Sequence, residues 1–314
     1  MSAEKKMRTA DGAGYRSGFV CLVGRPNVGK STLMNRLVGS TVSIATPKPQ
    51  TTRTRIMGVL HGEDYQVVFI DTPGIHQAFS PLNKRMVGYA LGALSDADLC
   101  CVLVEPRPSP GAPPGPEEQL LLDRVREAGR PALGLVNKVD AAGGEQVLAT
   151  LSALHDTGLF AEVLPVSALT GHNLERLMQL ILERLEPGPE YFPPGQISDQ
   201  GRETMIGELI RQALMTRTRD EVPYGAAVRV ESLEERTQGE PLLVVHASIF
   251  VERDSQKGIV IGKGGKMLKA IGSEARRRIE NLLGVRIFLE LNVRVLDRWS
   301  EDPRRLTELG YPED

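Results

Sequence analysis

The octapeptide Gly24-Arg25-Pro26-Asn27-Val28-Gly29-Lys30-Ser31 fits the pattern G-x-x-x-x-G-K-[ST]. It follows an apolar run at residues 19–23 and opens a stretch with Leu33, Leu37 and Val38 at helical spacing, so it joins a strand to a helix. In that setting the glycines let the backbone wrap a polyphosphate, and the amides of the helix start point at it. Lys30 supplies charge to the terminal phosphates, Ser31 offers a hydroxyl to Mg²⁺, and Thr32 follows in the first helical turn. The stretch therefore predicts an α/β nucleotide-binding unit.

Three further strand ends carry matching pieces. Asp71-Thr72-Pro73-Gly74 closes the apolar run 65–70; Asp71 is placed to hold Mg²⁺ through water, and the Gly74 amide to meet a γ-phosphate. The polar stretch 46–55, TPKPQTTRTR, predicts a mobile loop that closes on metal and γ-phosphate, with Thr52 favoured over Thr51 as metal ligand. Asn137-Lys138-Val139-Asp140 follows the apolar run 132–136. A carboxylate accepts two hydrogen bonds from the N1–H and N2–H₂ edge of guanine, a donor pair that adenine lacks. Asp140 therefore reads guanine, Asn137 braces the loop and the base, and the Lys138 stem lies on the ring face. Ser167-Ala168-Leu169 follows the run 163–166 and places an amide near Ala168 to donate to guanine O6. The expected reaction is in-line attack of water on the γ-phosphate, with Lys30, Thr52, Asp71 and Gly74 as the catalytic set. No general base is evident, and His76 is read as an exposed loop residue.

The chain has 314 residues, which at about 150 per domain implies roughly two domains. It is 41% hydrophobic and 25% charged with mean hydropathy −0.18, which excludes a mainly disordered chain and a polytopic membrane protein. A net charge of −2 means that any nucleic-acid surface must be a local patch. Cys21, Cys100 and Cys101 lie in apolar runs and read as core residues of a reducing compartment. The polar N-terminus lacks a signal-peptide core, so a soluble, intracellular protein is expected.

Apolar runs at 97–104, 132–136 and 163–166 alternate with amphipathic stretches at 118–128, 145–155 and 174–185. That rhythm predicts a mostly parallel sheet with helices on both faces. Residues 106–116, PRPSPGAPPGP, read as an exposed loop before a helix starting near Glu117; 186–195, EPGPEYFPPG, reads as a stiff interdomain linker. The expected division is a flexible arm 1–17, an α/β domain 18–186, a linker 187–200 and a second domain 201–314. The second domain reads as helix 202–216, strands 226–233 and 242–251 joined by a hairpin containing Gly239, two helices meeting near 262–265, strand 285–295 and a short helix 303–309.

Gly262-Lys263-Gly264-Gly265 fits the GxxG pattern that clamps a nucleic-acid backbone. Residues 253–278 carry eight Lys/Arg against Asp254 and Glu274, a sharp basic patch. Lys263, Lys266, Lys269 and Arg276 are the expected phosphate contacts. Ile259, Ile261 and Ile271 form either the apolar floor of a groove or part of the core.

The nucleotide motifs resemble those of the translation-factor-related GTPases. With the second domain, residues 18–311 resemble the Era family of bacterial GTPases. The resemblance is carried by GRPNVGKS, KPQTTRTRI, DTPGI, NKVD, VSAL, VIGKGGKMLKAIGSEAR and the run from Trp299-Ser300 to Leu309-Gly310-Tyr311. It implies an α/β P-loop GTPase domain followed by an α+β type II KH domain, probing GTP/GDP and RNA respectively. It further implies a role in small ribosomal subunit assembly, binding of the 3′-terminal small-subunit ribosomal RNA, and a GTP-favoured RNA-bound state. A cytoplasmic monomer with some peripheral association at the inner face of the membrane follows from the same resemblance. Ile75 stands where many GTPases carry a water-orienting Gln, so slow intrinsic turnover is expected. Asn27 matches an asparagine that in several relatives helps hold K⁺ near the phosphates; its plainer reading is a partner for loop backbone. The rival from another class is an RNA-binding scaffold whose nucleotide switch has negligible turnover. The loop 106–116 is longer than the family usually shows.

Overall fold

In the computed structural model, residues 14–77, 80–109, 111–236 and 240–313 are described. The first sheet is built from β1 (Arg16–Gly24), β2 (Ile56–His61), β3 (Tyr65–Asp71), β4 (Leu99–Val104), β5 (Ala132–Val136) and β6 (Glu162–Pro165), in the order β2-β3-β1-β4-β5-β6. β2 is antiparallel to β3 and the other pairs are parallel. Side chains of β1 alternate between two apolar clusters. Val20 and Leu22 pack with Leu33 of α1 (Lys30–Val38) and Leu177 of α5 (Leu174–Arg184). Cys21 and Val23 pack with Ala93 of α2 (Pro81–Asp96) and Leu121 of α3 (Pro116–Ala128). This period of two, apolar on both faces, explains why the strand reads as a continuous apolar run. α4 (Gly144–His155) covers β5 and β6 through Leu154 and Val136. Because β1 is flanked by β3 and β4, the chain reverses direction across the sheet there, and the loops after β1, β3, β5 and β6 converge at one rim.

Two elements lie outside the sequence reading. α2 buries Leu82, Met86, Tyr89, Ala90, Ala93 and Leu94, a regular helical stripe whose low propensity comes from Gly88 and Gly92. Its start is marked by Ser80, whose side chain accepts from the Asn83 amide at 3.2 Å, and by Pro81. β2 is a six-residue strand that emerges directly from the polar stretch before it. The arm expected over residues 1–17 is shortened, because Arg16 and Ser17 already pair in β1; residues 1–13 lie outside the described residues, as does the hairpin glycine Gly239.

The linker is strapped down rather than free. Gln66 Oε1 accepts from the amides of Tyr191 (2.7 Å) and Phe192 (3.0 Å), and the Tyr191 and Phe19 rings lie 4.8 Å apart. The Val59 amide donates to Ile197 O at 2.9 Å, the Ser198 hydroxyl to Met57 O at 2.9 Å, and Asp199 Oδ1 accepts from the Met57 amide at 3.0 Å. The proline-rich loop is anchored at its base by the buried pair Arg107–Glu118 at 2.7 Å.

The second sheet has the order β7-β8-β9, from β7 (Ala226–Arg236), β8 (Leu242–Val251) and β9 (Arg286–Val295). β7 and β8 form an antiparallel hairpin; β8 and β9 are parallel and need a crossover, which α7 (Asp254–Ile261) and α8 (Lys266–Leu283) supply. α6 (Arg202–Arg217) joins them on one face, where Ile206, Ile210 and Leu214 pack with Val245, Ile249, Ile271, Ala275 and Ile279. The chain ends through α9 (Pro303–Glu308). The fully buried Trp299, with Leu306 and Tyr311, packs on Leu82 and Met86 of α2, so one apolar cluster is shared by both halves.

Candidate nucleotide site and nucleic-acid interface

The loop between β1 and α1 turns at Gly29, whose φ of +104° is a conformation that side-chain-bearing residues rarely adopt. A Cβ there would lie 2.4 Å from Asn137 Nδ2. That closeness has a purpose: Asn137 Nδ2 donates to Val28 O at 2.7 Å and its Oδ1 accepts from the Ala168 amide at 2.9 Å. One side chain thus ties together three loops. The Ala168 amide, near which the donor to guanine O6 was expected, takes part in this brace. Ser167, expected beside the guanine as part of the third piece of the site, donates its hydroxyl to Asp140 Oδ1 at 2.5 Å and orients that carboxylate. Lys138 pairs with Glu105; Val139 is half-buried, and Leu169 is exposed at the rim.

Asp71 is the centre of a buried hydroxyl cluster. Its Oδ2 accepts from Ser31 (2.6 Å), Ser43 (2.8 Å) and Thr52 (3.2 Å), and the Ser31 and Thr52 hydroxyl oxygens are 3.0 Å apart. Thr51 turns away, bonding Thr46 Oγ1 and Lys48 O at 2.7 Å each. Ser43 was missed because it precedes the polar loop and carries no motif. Asp71 Oδ1 is buried with no partner among the described residues. Two hydroxyls beside a carboxylate with one bare oxygen suit a hard cation that keeps much of its water, so the donor set fits Mg²⁺.

Lys30 Nζ donates to Gly24 O (3.1 Å) and Arg25 O (2.9 Å). Burial pushes its pKa down to about 8, partly offset by the Asp71 charge. Burial likewise raises Asp71, against the pull of Lys30 and the hydroxyls. Phosphate oxygens beside Lys30 would restore its charge. Pro26, Thr32, Thr72 and Gly74 line the same cleft. The Thr72 hydroxyl is fixed on Leu22 O at 2.8 Å, and Arg25 pairs with Glu117 at 2.9 Å. Pro73 is buried beside them.

The packing bears on three local readings. Ile75 does not face the nucleotide cleft with its side chain; it is buried in the cluster of Cys21, Val23 and Ile70, while its amide donates to Gly24 O at 3.2 Å. His76 is buried rather than exposed, with Nδ1 2.7 Å from Gly74 O. Asn27 Nδ2 donates to Pro47 O at 2.8 Å, the plainer of its two readings.

In the second half, α7 stops at Gly262 and α8 starts at Lys266. Gly264 has φ +60°, and a Cβ built on it would meet nothing within 4 Å, so this backbone is open to an approaching phosphate. Lys263, Lys266 and Lys269 are exposed around it, and Gly265 completes the turn. Lys269, Gly272, Ser273 and Arg276 of α8 face Ile287, Phe288, Leu289 and Leu291 of β9 across a groove of about 410 Å³. Phe288 (55% exposed) and Ile259 (47%) present apolar surface to solvent, and Ile261 is half-buried. Ile271 is fully buried and belongs to the core. Phe288 was missed; the consecutive apolar residues Ile287-Phe288-Leu289 break strand alternation and were its signal. Arg278 is taken up by Glu274 at 2.6 Å, which also holds Arg217 at 2.6 Å.

Comparison with known proteins matches each half. A family described as 50S ribosome-binding GTPase matches residues 19–138, and the KH domain family matches residues 221–300. The GTPase Era of Geobacter metallireducens is 50% identical over 297 residues, covering 95% of this chain and 98% of the relative. That of Mycolicibacterium smegmatis is 42% identical over 300 residues, covering 95% and 99%. A crystal structure of an Aquifex aeolicus Era variant bound to GDP·AlF₄⁻ superposes with a TM-score of 0.88 at 35% identity, covering 95% and 99%. A structure of Era with MgGDPNP and nucleotides 1506–1542 of 16S ribosomal RNA gives 0.89 at 35% identity and the same coverage. A P-loop GTPase fold joined to a KH domain, matched along nearly its whole length at up to half identity, places this chain in the Era family of GTPases.

Proposed function

We propose that this chain hydrolyses GTP in the cleft around Lys30 and Asp71 and binds the 3′-terminal region of small-subunit ribosomal RNA along the α8–β9 groove, acting in small-subunit assembly with GTP favouring the RNA-bound state. The likeness over 95% of the chain to a complex with MgGDPNP and 16S ribosomal RNA carries this reading. The Asp140 carboxylate takes the guanine edge, held by Ser167. Lys30 and the loop amides of residues 24–32, Pro26 apart, take the β- and γ-phosphates. Ser31 and Thr52 would ligate Mg²⁺, with Asp71 acting through water; the ion when bound neutralises charge developing on the phosphate oxygens. The Gly74 amide meets the γ-phosphate, and water attacks in line. With Ile75 buried in the core, no side chain at that position orients the water, and turnover is slow. K⁺ beside Asn27 belongs to the same proposal; faster hydrolysis in KCl than in NaCl at equal ionic strength tests it.

On the RNA side, Gly262, Lys263, Gly264, Gly265 and Lys266 grip the backbone. Lys269 and Arg276 follow it, and Ile259, Ile261 and Phe288 offer apolar surface to unpaired bases. Residues 16–186 form the GTPase domain and 201–314 the RNA-binding domain. The protein acts in the cytoplasm as a monomer, with peripheral contact at the inner membrane face.

Fluorescence anisotropy with a labelled 3′-terminal small-subunit RNA, a scrambled control and the Gly264→Asp variant tests the reading. Tighter, sequence-selective binding with a non-hydrolysable GTP analogue than with GDP, lost in the variant, is expected. Equal binding in both nucleotide states would leave two unlinked modules.

A further inference from the structure

The expected metal ligand Thr52 is bracketed by two arginines that tie it to the second half of the chain. On its N-terminal side, Thr51 O accepts from Arg211 NH2, and Arg211 is fully buried on α6 in a paired contact with Glu208. On its C-terminal side, Arg53 is 2% exposed. Its NH1 donates to Ala226 O at 2.7 Å, and its NH2 to Pro223 O (3.1 Å) and Tyr224 O (2.8 Å). The guanidinium lies 5.8 Å from the Trp299 ring centre and 5.9 Å from that of Tyr311. Two more ties hold the same loop: Gln212 Nε2 donates to Ala45 O at 2.8 Å, and Lys48 Nζ donates to Thr218 O.

An arginine remains charged when buried. Without a carboxylate of its own, Arg53 is tolerated only where carbonyls and ring faces surround it. Those groups come from the β7 approach and the residues after β9, so the NH1 and NH2 groups of Arg53 find their acceptors only when the second half is docked. The chain leaves little slack, because Thr51, Thr52 and Arg53 are consecutive and each side of Thr52 is fixed within one residue.

We propose that Arg211 and Arg53 are positioning residues for the GTPase centre: the second domain holds the Thr52 hydroxyl beside Ser31 and Asp71, so half of the metal site's geometry is supplied from outside the domain that binds the nucleotide. This rests on the reading of Thr52 as a metal ligand. A loop held in this way favours the nucleotide state that uses Thr52, which is the triphosphate state, over the diphosphate state.

The test uses the full chain and compares wild type, Thr52→Ala, Arg211→Met and Arg53→Lys. Fluorescent GDP and a fluorescent non-hydrolysable GTP analogue are titrated at several Mg²⁺ concentrations, and tryptic cleavage within residues 46–55 is followed in parallel. Arg211→Met should lower the preference for the triphosphate analogue over GDP by about tenfold, a shift of roughly 1.4 kcal/mol. It should also raise the Mg²⁺ concentration needed for half-maximal analogue binding, leave GDP affinity within about threefold, and speed cleavage. Should Arg211→Met fail to fold, Arg53→Lys keeps the buried charge while losing the fork, and carries the same expectation at smaller size. If Thr52→Ala leaves analogue binding and its Mg²⁺ dependence unchanged, the metal reading of Thr52 fails and the proposal with it. If Thr52→Ala shifts them while both arginine variants match wild type, Thr52 stands as a ligand and the positioning role is refuted.

Discussion

Gly74→Ala is the sharpest probe of the nucleotide cleft. A Cβ on Gly74 would lie 2.4 Å from Pro26 N and 2.7 Å from Pro26 Cα and Cδ, where ordinary contact begins at 3.4 Å. The two loops must therefore separate by about 1 Å, and the obstacle is backbone and ring rather than the end of a flexible side chain. On the proposed function the Gly74 amide and the loop amides meet the γ-phosphate, and a misplacement of about 1 Å there costs roughly 100-fold in rate. Overpacking of a buried contact also costs about 1–3 kcal/mol of stability. Single-turnover GTP hydrolysis should fall by roughly two orders of magnitude. GDP affinity should drop less, because the anchors of Val28 O on Asn137 and of Lys30 on Gly24 O stay made. A urea melt measures the stability term. Hydrolysis within about threefold of wild type in a folded variant would refute the assignment of Gly74 to the γ-phosphate.

Asp140→Asn should weaken GTP binding and favour xanthosine nucleotides, since an amide offers the base edge a donor where a carboxylate accepts; unchanged GTP affinity would remove Asp140 from base recognition. With Lys30 at about 8 in the free protein and raised by bound phosphates, nucleotide binding takes up protons as pH rises past that value. Below it Lys30 is already charged and affinity is flat; above it affinity declines toward tenfold per unit. Calorimetry of GDP binding above pH 8 in two buffers of different ionisation enthalpy should show net proton uptake, and zero uptake would contradict the shift.

Much of this molecule was legible because its chemistry is concentrated at strand ends. A buried parallel strand is an uninterrupted apolar run, and each functional loop starts where such a run stops, as at Gly24, Asp71, Val136 and Pro165. Where that signal is weak, the reading falters. α2 has a clear apolar stripe, but its glycines and small residues hide it, and β2 carries Gly58 in its interior and runs on directly from the polar loop before it. Within the site, residue types announced the P-loop and the guanine reader, while roles that depend on neighbours did not show. Ser43 reaches Asp71 across 28 residues of sequence, and the Ala168 amide reaches Asn137 across 31. The direction of Ile75 is a property of packing, which residue identity alone does not fix. The bracket around Thr52 joins residues about 160 to 175 positions apart, and no local pattern encodes it.

The strapped linker sets the length of the tether between the two domains. Met57, Val59 and Gln66 hold residues 191–199 along the β2–β3 side of the sheet, and α6 begins at Arg202. Only Gln200 and Gly201 remain between the last anchor and that helix, a reach of roughly 7 Å when extended. Such a short leash permits rotation but not separation. Each domain therefore experiences the other at a millimolar or higher effective concentration, and the docked contacts need only modest intrinsic affinity to form. Opening them turns the exposed surfaces about the tether without letting the two domains diffuse apart. Exchange between arrangements is then a local, reversible pivot about Gln200–Gly201, and inserting a flexible segment at that point should loosen the docked arrangement without altering either domain.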